Sequence, residues 1–245
     1  MSQVRPILIL NSVAWDSEYD PRDPLYNVCD WFLKAFGGDP ARLVEWRARE
    51  DPVPDLSRFS AMVLTGSPAS AYDNEAWIEA LKSLVREAVT RRFPTLGVCF
   101  GSQLIAEAMG GKVERHMAGW ELGDKEIELT PEGKSDPLFE GIPARFRAIE
   151  SHQDAVVRLP PGAELLATNP FCPVQAFGVG EFLRAVQFHP EMGPEHLRFI
   201  CPPRRARILE SSGIDVNDLL PGVRETPDVA PLFRNFERHF ACTGA

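Results

Sequence analysis

The stretch Thr95-Leu-Gly-Val-Cys-Phe-Gly-Ser-Gln-Leu104 constrains this chain more than any other. Thr95 to Val98 is a short apolar run that reads as a buried strand, and Cys99 follows it at once. Ser102 to Ala108 then reads as a helix closed by Gly110-Gly111. Gly97 and Gly101 bracket the cysteine as Gly-x-Cys-x-Gly, the thiol version of the strand–turn–helix elbow that lifts a nucleophile above a sheet. Neighbouring elements pass close to so tight a turn, which requires small flanking residues. A cysteine at a helix N-terminus also faces unpaired N–H groups and the positive dipole end, both favouring thiolate over thiol. The competing reading is a structural cysteine buried between a core strand and its helix.

The chain around the elbow alternates strand and helix. Apolar runs at Pro6–Val13, Ala41–Ala48 and Ala61–Thr65 predict strands. Tyr26 to Phe36 sets Val28, Trp31, Phe32 and Phe36 on one helical face and stops at Gly37-Gly38. Asn74 is the expected N-cap of a helix running to Arg91, with Trp77, Ile78, Leu81, Leu84 and Val85 facing inward. This alternation predicts an α/β, three-layer fold: a mostly parallel central sheet with helices on both faces. Beyond Gly111, Lys112–His116, Lys125–Leu129, Phe146–Glu150, Glu164–Ala167, Val174–Val179 and Leu183–Phe188 read as short strands added antiparallel to the same sheet. Gly193 to Ser211 is expected to be mostly helical, broken at Pro202-Pro203, and Asp228 to Ala241 makes a last amphipathic helix. The expected organisation is a catalytic unit over residues 1–200 and a C-terminal helical extension, 201–245, packed on it.

Bulk properties exclude several functions. A net charge of −9 disfavours nucleic acid and anionic membranes as partners. No apolar run reaches membrane-spanning length, and no signal-peptide pattern opens the chain. Cysteines 29, 99, 172, 201 and 242 are odd in number and scattered, with no Cys-x-x-Cys pair. Neither a disulfide framework nor a metal site is expected, and a reducing cytoplasm fits. The four other cysteines read as inert, and His116, His196 and His239 as surface residues.

A thiol nucleophile needs a base. His189 ends the strand Ala185-Val-Gln-Phe188 and is followed by Pro190 and Glu191. The proline stops the ladder and the carboxylate can fold back onto the imidazole, giving nucleophile, base and orienting acid. The N–H of Phe100, next after the nucleophile, is one expected oxyanion donor, and Gly66 in Thr65-Gly66-Ser67-Pro68 is the second. A solvated turn at His189 and a plain strand-ending turn at Gly66 are the bland alternatives.

Together, L-T-G-S-P at 64–68, G-V-C-F-G-S-Q at 97–103 and Q-F-H-P-E at 187–191 resemble the class I (triad) glutamine amidotransferase family, over about residues 6 to 192. The resemblance implies its flavodoxin-like fold and hydrolysis of the glutamine side-chain amide through a γ-glutamyl thioester on Cys99. Cys99, His189 and Glu191 match the triad. Gln103 matches a substrate-holding glutamine, Ser67 belongs to the same binding wall, and Ser151-His152-Gln153-Asp154 resembles the loop that holds the α-amino and α-carboxyl groups. Ser102 departs from the histidine that many members carry before the glutamine. Gly119-Trp-Glu-Leu-Gly123 is similar to free-standing relatives of the GMP synthase glutaminase domain.

The chain carries no Walker motif, no pyrophosphatase-type glycine loop and no room for an ATP-using domain, so no cofactor is expected. The ammonia then goes to a separate synthetase subunit, or the protein is a free-standing hydrolase such as a γ-glutamyl peptidase. A non-enzymatic thiol protein of a related elbow fold is the remaining alternative.

Overall fold

The computed structural model describes residues 5–241, so Cys242 lies outside the described residues. Four apolar runs form the first strands: β1 (Ile7–Asn11), β2 (Leu43–Arg47), β3 (Ala61–Leu64) and β4 (Thr95–Val98). The later strands are β5 (Lys112–Arg115), β6 (Glu121–Leu129), β7 (Arg145–His152), β8 (Asp154–Arg158), β9 (Glu164–Thr168), β10 (Ala176–Val179) and β11 (Leu183–Val186). Nine of them make one sheet in the order β2-β1-β3-β4-β11-β10-β9-β6-β7. The half from β2 to β11 is parallel and the half from β11 to β7 antiparallel. The fold is the expected α/β class.

One apolar cluster covers each face. Helices α2 (Ala76–Thr90) and α3 (Phe100–Ala108) pack Ile78, Leu84, Val85, Leu104 and Ile105 on one side. On the other, α1 (Val28–Ala35) buries Val28, Trp31 and Phe32 beside Phe233 and Phe236 of α8 (Leu232–Phe236). Each such side chain removed from water contributes about 1.5–3 kcal/mol. The C-terminal residues Ile208, Val216, Val229 and Phe240 join this second cluster. Among the described residues no helix is long and apolar enough to cross a membrane.

Several expectations are corrected. Lys112–His116 does not join the main sheet: β5 pairs with β8 in a separate two-stranded ribbon. The strand expected from Lys125 starts at Glu121, because Glu121 is buried and satisfied by protein donors. Helix α2 is capped by Glu75, not Asn74, and the Glu75 carboxylate bonds Trp77 Nε1 at 2.6 Å instead of a helix N–H. The last helix is broken. A 3₁₀ turn at Pro227–Val229 precedes α8, and a π-helical turn at Glu237–Ala241 follows it. Pro231 between the first two lacks the N–H a continuous helix needs. The region from 193 is helical as expected, as α5 (Pro194–Ile200), a 3₁₀ turn at Pro202–Arg204 and α6 (Arg205–Ser212), with a further short α7 (Val216–Leu219). His196 is buried, its ring 4.6 Å from Trp31 and its Nδ1 accepting the Gly193 N–H at 2.8 Å.

Candidate active site

The parallel strands β1, β3, β4 and β11 all point their carboxyl ends to one edge, where chemistry collects in sheets of this kind. Cys99 leaves β4 there with φ +51° and ψ −106°, a conformation L-residues rarely adopt. Three backbone bonds hold the turn. Its N–H donates to Val186 O at 2.8 Å, its carbonyl accepts Gln103 N–H at 3.0 Å, and Gly101 N–H donates to Thr65 O at 3.1 Å. The flanking glycines have no room for a side chain. A Cβ on Gly97 would stand 2.7 Å from the Gly101 carbonyl carbon, and one on Gly101 2.7 Å from Leu64 Cβ.

His189 sits three residues past β11, its N–H bonded to Ile149 O at 2.9 Å. Its Nδ1 is 2.7 Å from Glu191 Oε1. An ionised carboxylate only accepts, so Nδ1 carries the proton and Nε2 is left for the thiol. Burial alone would push this imidazole down. The charges of Glu191 and Cys99, with hydrogen bonds to both, outweigh burial, and His189 is pushed up to about 10. Gly66, at the end of β3, closes the third side: a Cβ there would lie 3.0 Å from His189 Cε1 and 3.8 Å from Cys99 Cβ. Phe100 opens α3, so its N–H belongs to the first turn, which has no intrahelical acceptor.

Two lobes meet at Cys99, sharing Ser67, Pro68, Ser151 and Arg204. The polar lobe, about 70 Å³, is lined by Gln103, Arg115, Gln153, Asp154 and Arg207. The other, about 40 Å³, is walled by Val13, Trp15, Val28, Trp31, Met192 and Ile200, with His189 and Glu191 at its inner end. Gln103 Nε2 donates to Asp154 O at 2.8 Å and to Gln187 Oε1 at 3.0 Å. The Asp154 carboxylate accepts from Ser70 Oγ at 2.6 Å and Tyr72 Oη at 3.2 Å. Ser67 Oγ donates to Ser12 O at 2.9 Å, whereas buried Ser151 Oγ has no partner.

Ser151 to Asp154 is a corner between two strands. Ser151 and His152 end β7, Gln153 makes the corner, and Asp154 opens β8. His152 is buried behind it with both ring nitrogens occupied, Nδ1 at 2.9 Å from Asp154 O and Nε2 at 3.0 Å from Glu121 Oε2. Glu121, His152 and Cys172 have the side-chain types of a metal site, their ligand atoms lying within 4.8 Å of one another. Glu121 already accepts from Asn169 at 2.6 Å and Gln175 at 3.0 Å as well as facing His152, which satisfies its charge without a cation. Burial pushes the Cys172 and Cys201 thiols up to about 12 and raises Cys29 as well, in keeping with inert cysteines.

The model of the glutamine amidotransferase class-I family matches residues 41–198. The chain belongs to the class I glutamine amidotransferase family. Among curated relatives, γ-glutamyl peptidase 3 of Arabidopsis thaliana is 31% identical over 172 residues, covering 68% of this chain and 69% of that protein. The glutamine-hydrolysing GMP synthase of Thermotoga maritima is 34% identical over 172 residues, 64% of this chain but only 31% of the synthase. Two solved glutamine amidotransferases share the fold. The one from Thermotoga maritima has TM-score 0.75 and 24% identity over 97% of this chain and 98% of its own. The one from Methylobacillus flagellatus has TM-score 0.74 and 24% identity over 98% and 94%.

Cys99, His189, Glu191, Gly66, Gln103, Ser67 and Ser151 to Asp154 all line the two lobes, while Phe100 turns its side chain into the core and can offer only its backbone N–H. Sequence reasoning missed Arg115, Arg204, Arg207, Trp15 and Trp31. The one available signal was the basic run Arg204-Arg205-Ala206-Arg207. Arg204 Nε donates to Tyr19 Oη at 3.0 Å, and its guanidinium lies 5.9 Å from the Trp15 ring centre. Burial and the charges of Arg204 and Arg115 hold Arg207 below its ordinary value.

Proposed function

We propose that the chain hydrolyses a γ-glutamyl amide, glutamine being the simplest, through a thioester on Cys99. The observation that carries this reading is the strained elbow cysteine beside an imidazole whose far nitrogen is held by Glu191 at 2.7 Å. Cys99 Sγ passes its proton to His189 and attacks the γ-carbonyl carbon, forming the S–C bond, and the carbonyl oxygen takes the negative charge. The N–H groups of Phe100 and Gly66 receive that oxyanion. As the C–N bond breaks, His189 gives its proton to the departing nitrogen. Water then attacks the thioester as His189 takes its proton, the S–C bond breaks, and glutamate leaves while His189 returns the proton to Cys99 Sγ. Glu191 fixes the tautomer and stabilises the imidazolium. Gln103, Ser67 and the Ser151–Asp154 corner hold the glutamyl head, with His152 and Gln153 shaping the corner rather than taking protons.

Residues 1–200 act as the catalytic unit and 201–245 as an extension on the same core, supported by the family match ending at 198. The released nitrogen goes to a separate synthetase, as the likeness to GMP synthase suggests, or leaves as a free amine, as the likeness to γ-glutamyl peptidase 3 suggests. Cys29, Cys99, Cys172 and Cys201 are free thiols, which fits the cytoplasm. The test is Cys99→Ser, assayed for ammonia from glutamine and amine from γ-glutamyl dipeptides. The expected result is loss of turnover with an unchanged circular dichroism spectrum. Retained turnover overturns the proposal.

A further inference from the structure

Cleaving an amide places the two halves of the substrate on opposite sides of the attacking sulfur. The half that stays on Cys99 carries an amino group and a carboxylate, and the polar lobe offers Asp154 for one and Arg207 for the other. The half that leaves must present its nitrogen to His189. His189 and Glu191 line the apolar lobe and not the polar one. The departing amine therefore enters a space walled by two tryptophans, two valines, a methionine and an isoleucine. Ammonia has no use for such a wall.

The wall is also built in advance. Trp15 Nε1 donates to Tyr26 O at 2.7 Å, and the ring packs 4.5 Å from Tyr19 and 5.5 Å from Phe199. At the boundary between the lobes stands Arg204, whose Nε is engaged by Tyr19 while its terminal amino groups meet no carboxylate among the described residues. Val13, Trp15 and Val28 also line an adjoining cleft of about 380 Å³, which leaves room for an amine longer than one residue.

We infer that the apolar lobe is a leaving-amine subsite, and that the protein takes γ-glutamyl peptides whose departing residue is apolar. The side chain of that residue lies against Trp15, Trp31 and Met192, and its carboxylate on Arg204. This rests on the thioester reading above and needs no reactant beyond water: the C–N bond is replaced by S–C and then by C–O, and the amine leaves with the His189 proton.

The test uses Cys99→Ala protein, which binds without turning over. Titration calorimetry with glutamine, γ-glutamyl-phenylalanine and γ-glutamyl-phenylalaninamide reads the two contacts separately. γ-Glutamyl-phenylalanine is expected to bind at least about tenfold tighter than glutamine, the scale on which filling an apolar pocket discriminates. The amide, lacking the carboxylate, is expected to lose most of that gain. Trp15→Ala should erase the preference for the phenylalanyl compound. Arg204→Gln, with an unchanged circular dichroism spectrum as its folding control, should erase the difference between acid and amide. Equal or tighter glutamine binding, or ratios untouched by both variants, overturns the inference while leaving the hydrolase reading in place. Absence of wild-type turnover on every γ-glutamyl compound removes the hydrolase reading instead, and the titration still reports which wall holds the apolar residue.

Discussion

Gly101→Ala tests the elbow most directly, because two opposing effects meet at one residue. Gly101 is the second residue of α3, and alanine is the better helix former by up to about 1 kcal/mol, less in a first turn. Against that, the new Cβ would lie 2.7 Å from Leu64 Cβ and 2.8 Å from Leu64 C, and nearest of all to Leu64 O. Carbon atoms pack best at about 3.5–4.0 Å, so the overlap is about 1 Å. Leu64 cannot yield: it is fully buried in β3, and the next carbonyl, Thr65 O, is bonded to Gly101 N–H itself. Overpacking against fixed backbone costs about 1–3 kcal/mol, and this site belongs at the upper end. The net expected loss is about 2–3 kcal/mol, read by urea unfolding followed by circular dichroism. The functional loss should be larger in proportion. Relief requires α3 to move off β3 and carry the Cys99 turn with it, and a displacement of about 1 Å costs about 100-fold in kcat/KM. Gly222→Ala is the control, since nothing lies within 4 Å of its Cβ position. A Gly101→Ala protein as stable and as active as the parent would refute the close-approach argument for the elbow.

Glu191→Gln should slow turnover by about 10²–10⁴, the range for loss of a positioned acid–base component, and by less than loss of Cys99. It should also move the alkaline limb of kcat/KM downward. His189 is held up to about 10, so the pairing stabilises the fold fully below the free imidazole value and loses that contribution as pH rises through about 10. Without the Glu191 charge the proton is lost earlier; an unmoved limb would count against the assignment. Glu150→Gln addresses the buried carboxyl next to the site. Burial, reinforced by the charge of Glu121, pushes Glu150 up to about 7 against the pull of His152. A carboxyl raised on folding binds its proton more tightly in the native state, so parental stability falls as pH climbs from about 4.5 to about 7 and is flat above. The variant should therefore gain on the parent by about 1–3 kcal/mol between acid and about pH 8, measured by equilibrium unfolding; a constant difference would refute it.

Hydropathy carried the parallel half of the sheet and failed where charge is buried. Apart from Asn11 at the end of β1 and Thr95 at the start of β4, strands β1, β3 and β4 are apolar because both faces are covered, so their pattern is unambiguous. The first residues of β6 were lost because Glu121 is polar by type and buried by virtue of Asn169, Gln175 and His152, partners that lie 31 to 54 residues away. β8 was lost for a related reason: Asp154 and Arg158 bracket only three apolar residues, two of them buried, and its one partner is the edge ribbon strand β5. α4 (Pro131–Ser135) and α7 are single turns of mainly polar residues, held by side-chain caps from Thr130 and Asp215 and too short for any period to register.

The site divides along a different line. Every residue assigned to bond-making, from Gly66 through Cys99 and the Ser151–Asp154 corner to Glu191, falls inside the 41–198 span of the family match. The residues that wall the leaving side, Val13, Trp15, Val28, Trp31, Ile200 and Arg204, fall outside it on both ends, with Met192 the exception. Motif spacing could find the first set because elbow and strand-end geometry fix those positions relative to one another. It could not find the second, because that wall depends on where the loop before α1, the start of α1, and the end of α5 with the turn after it meet, and no spacing rule ties these together. The chemistry of an amidotransferase is thus fixed by the shared core. The walls of the proposed leaving-amine lobe, by contrast, come mostly from segments outside that span.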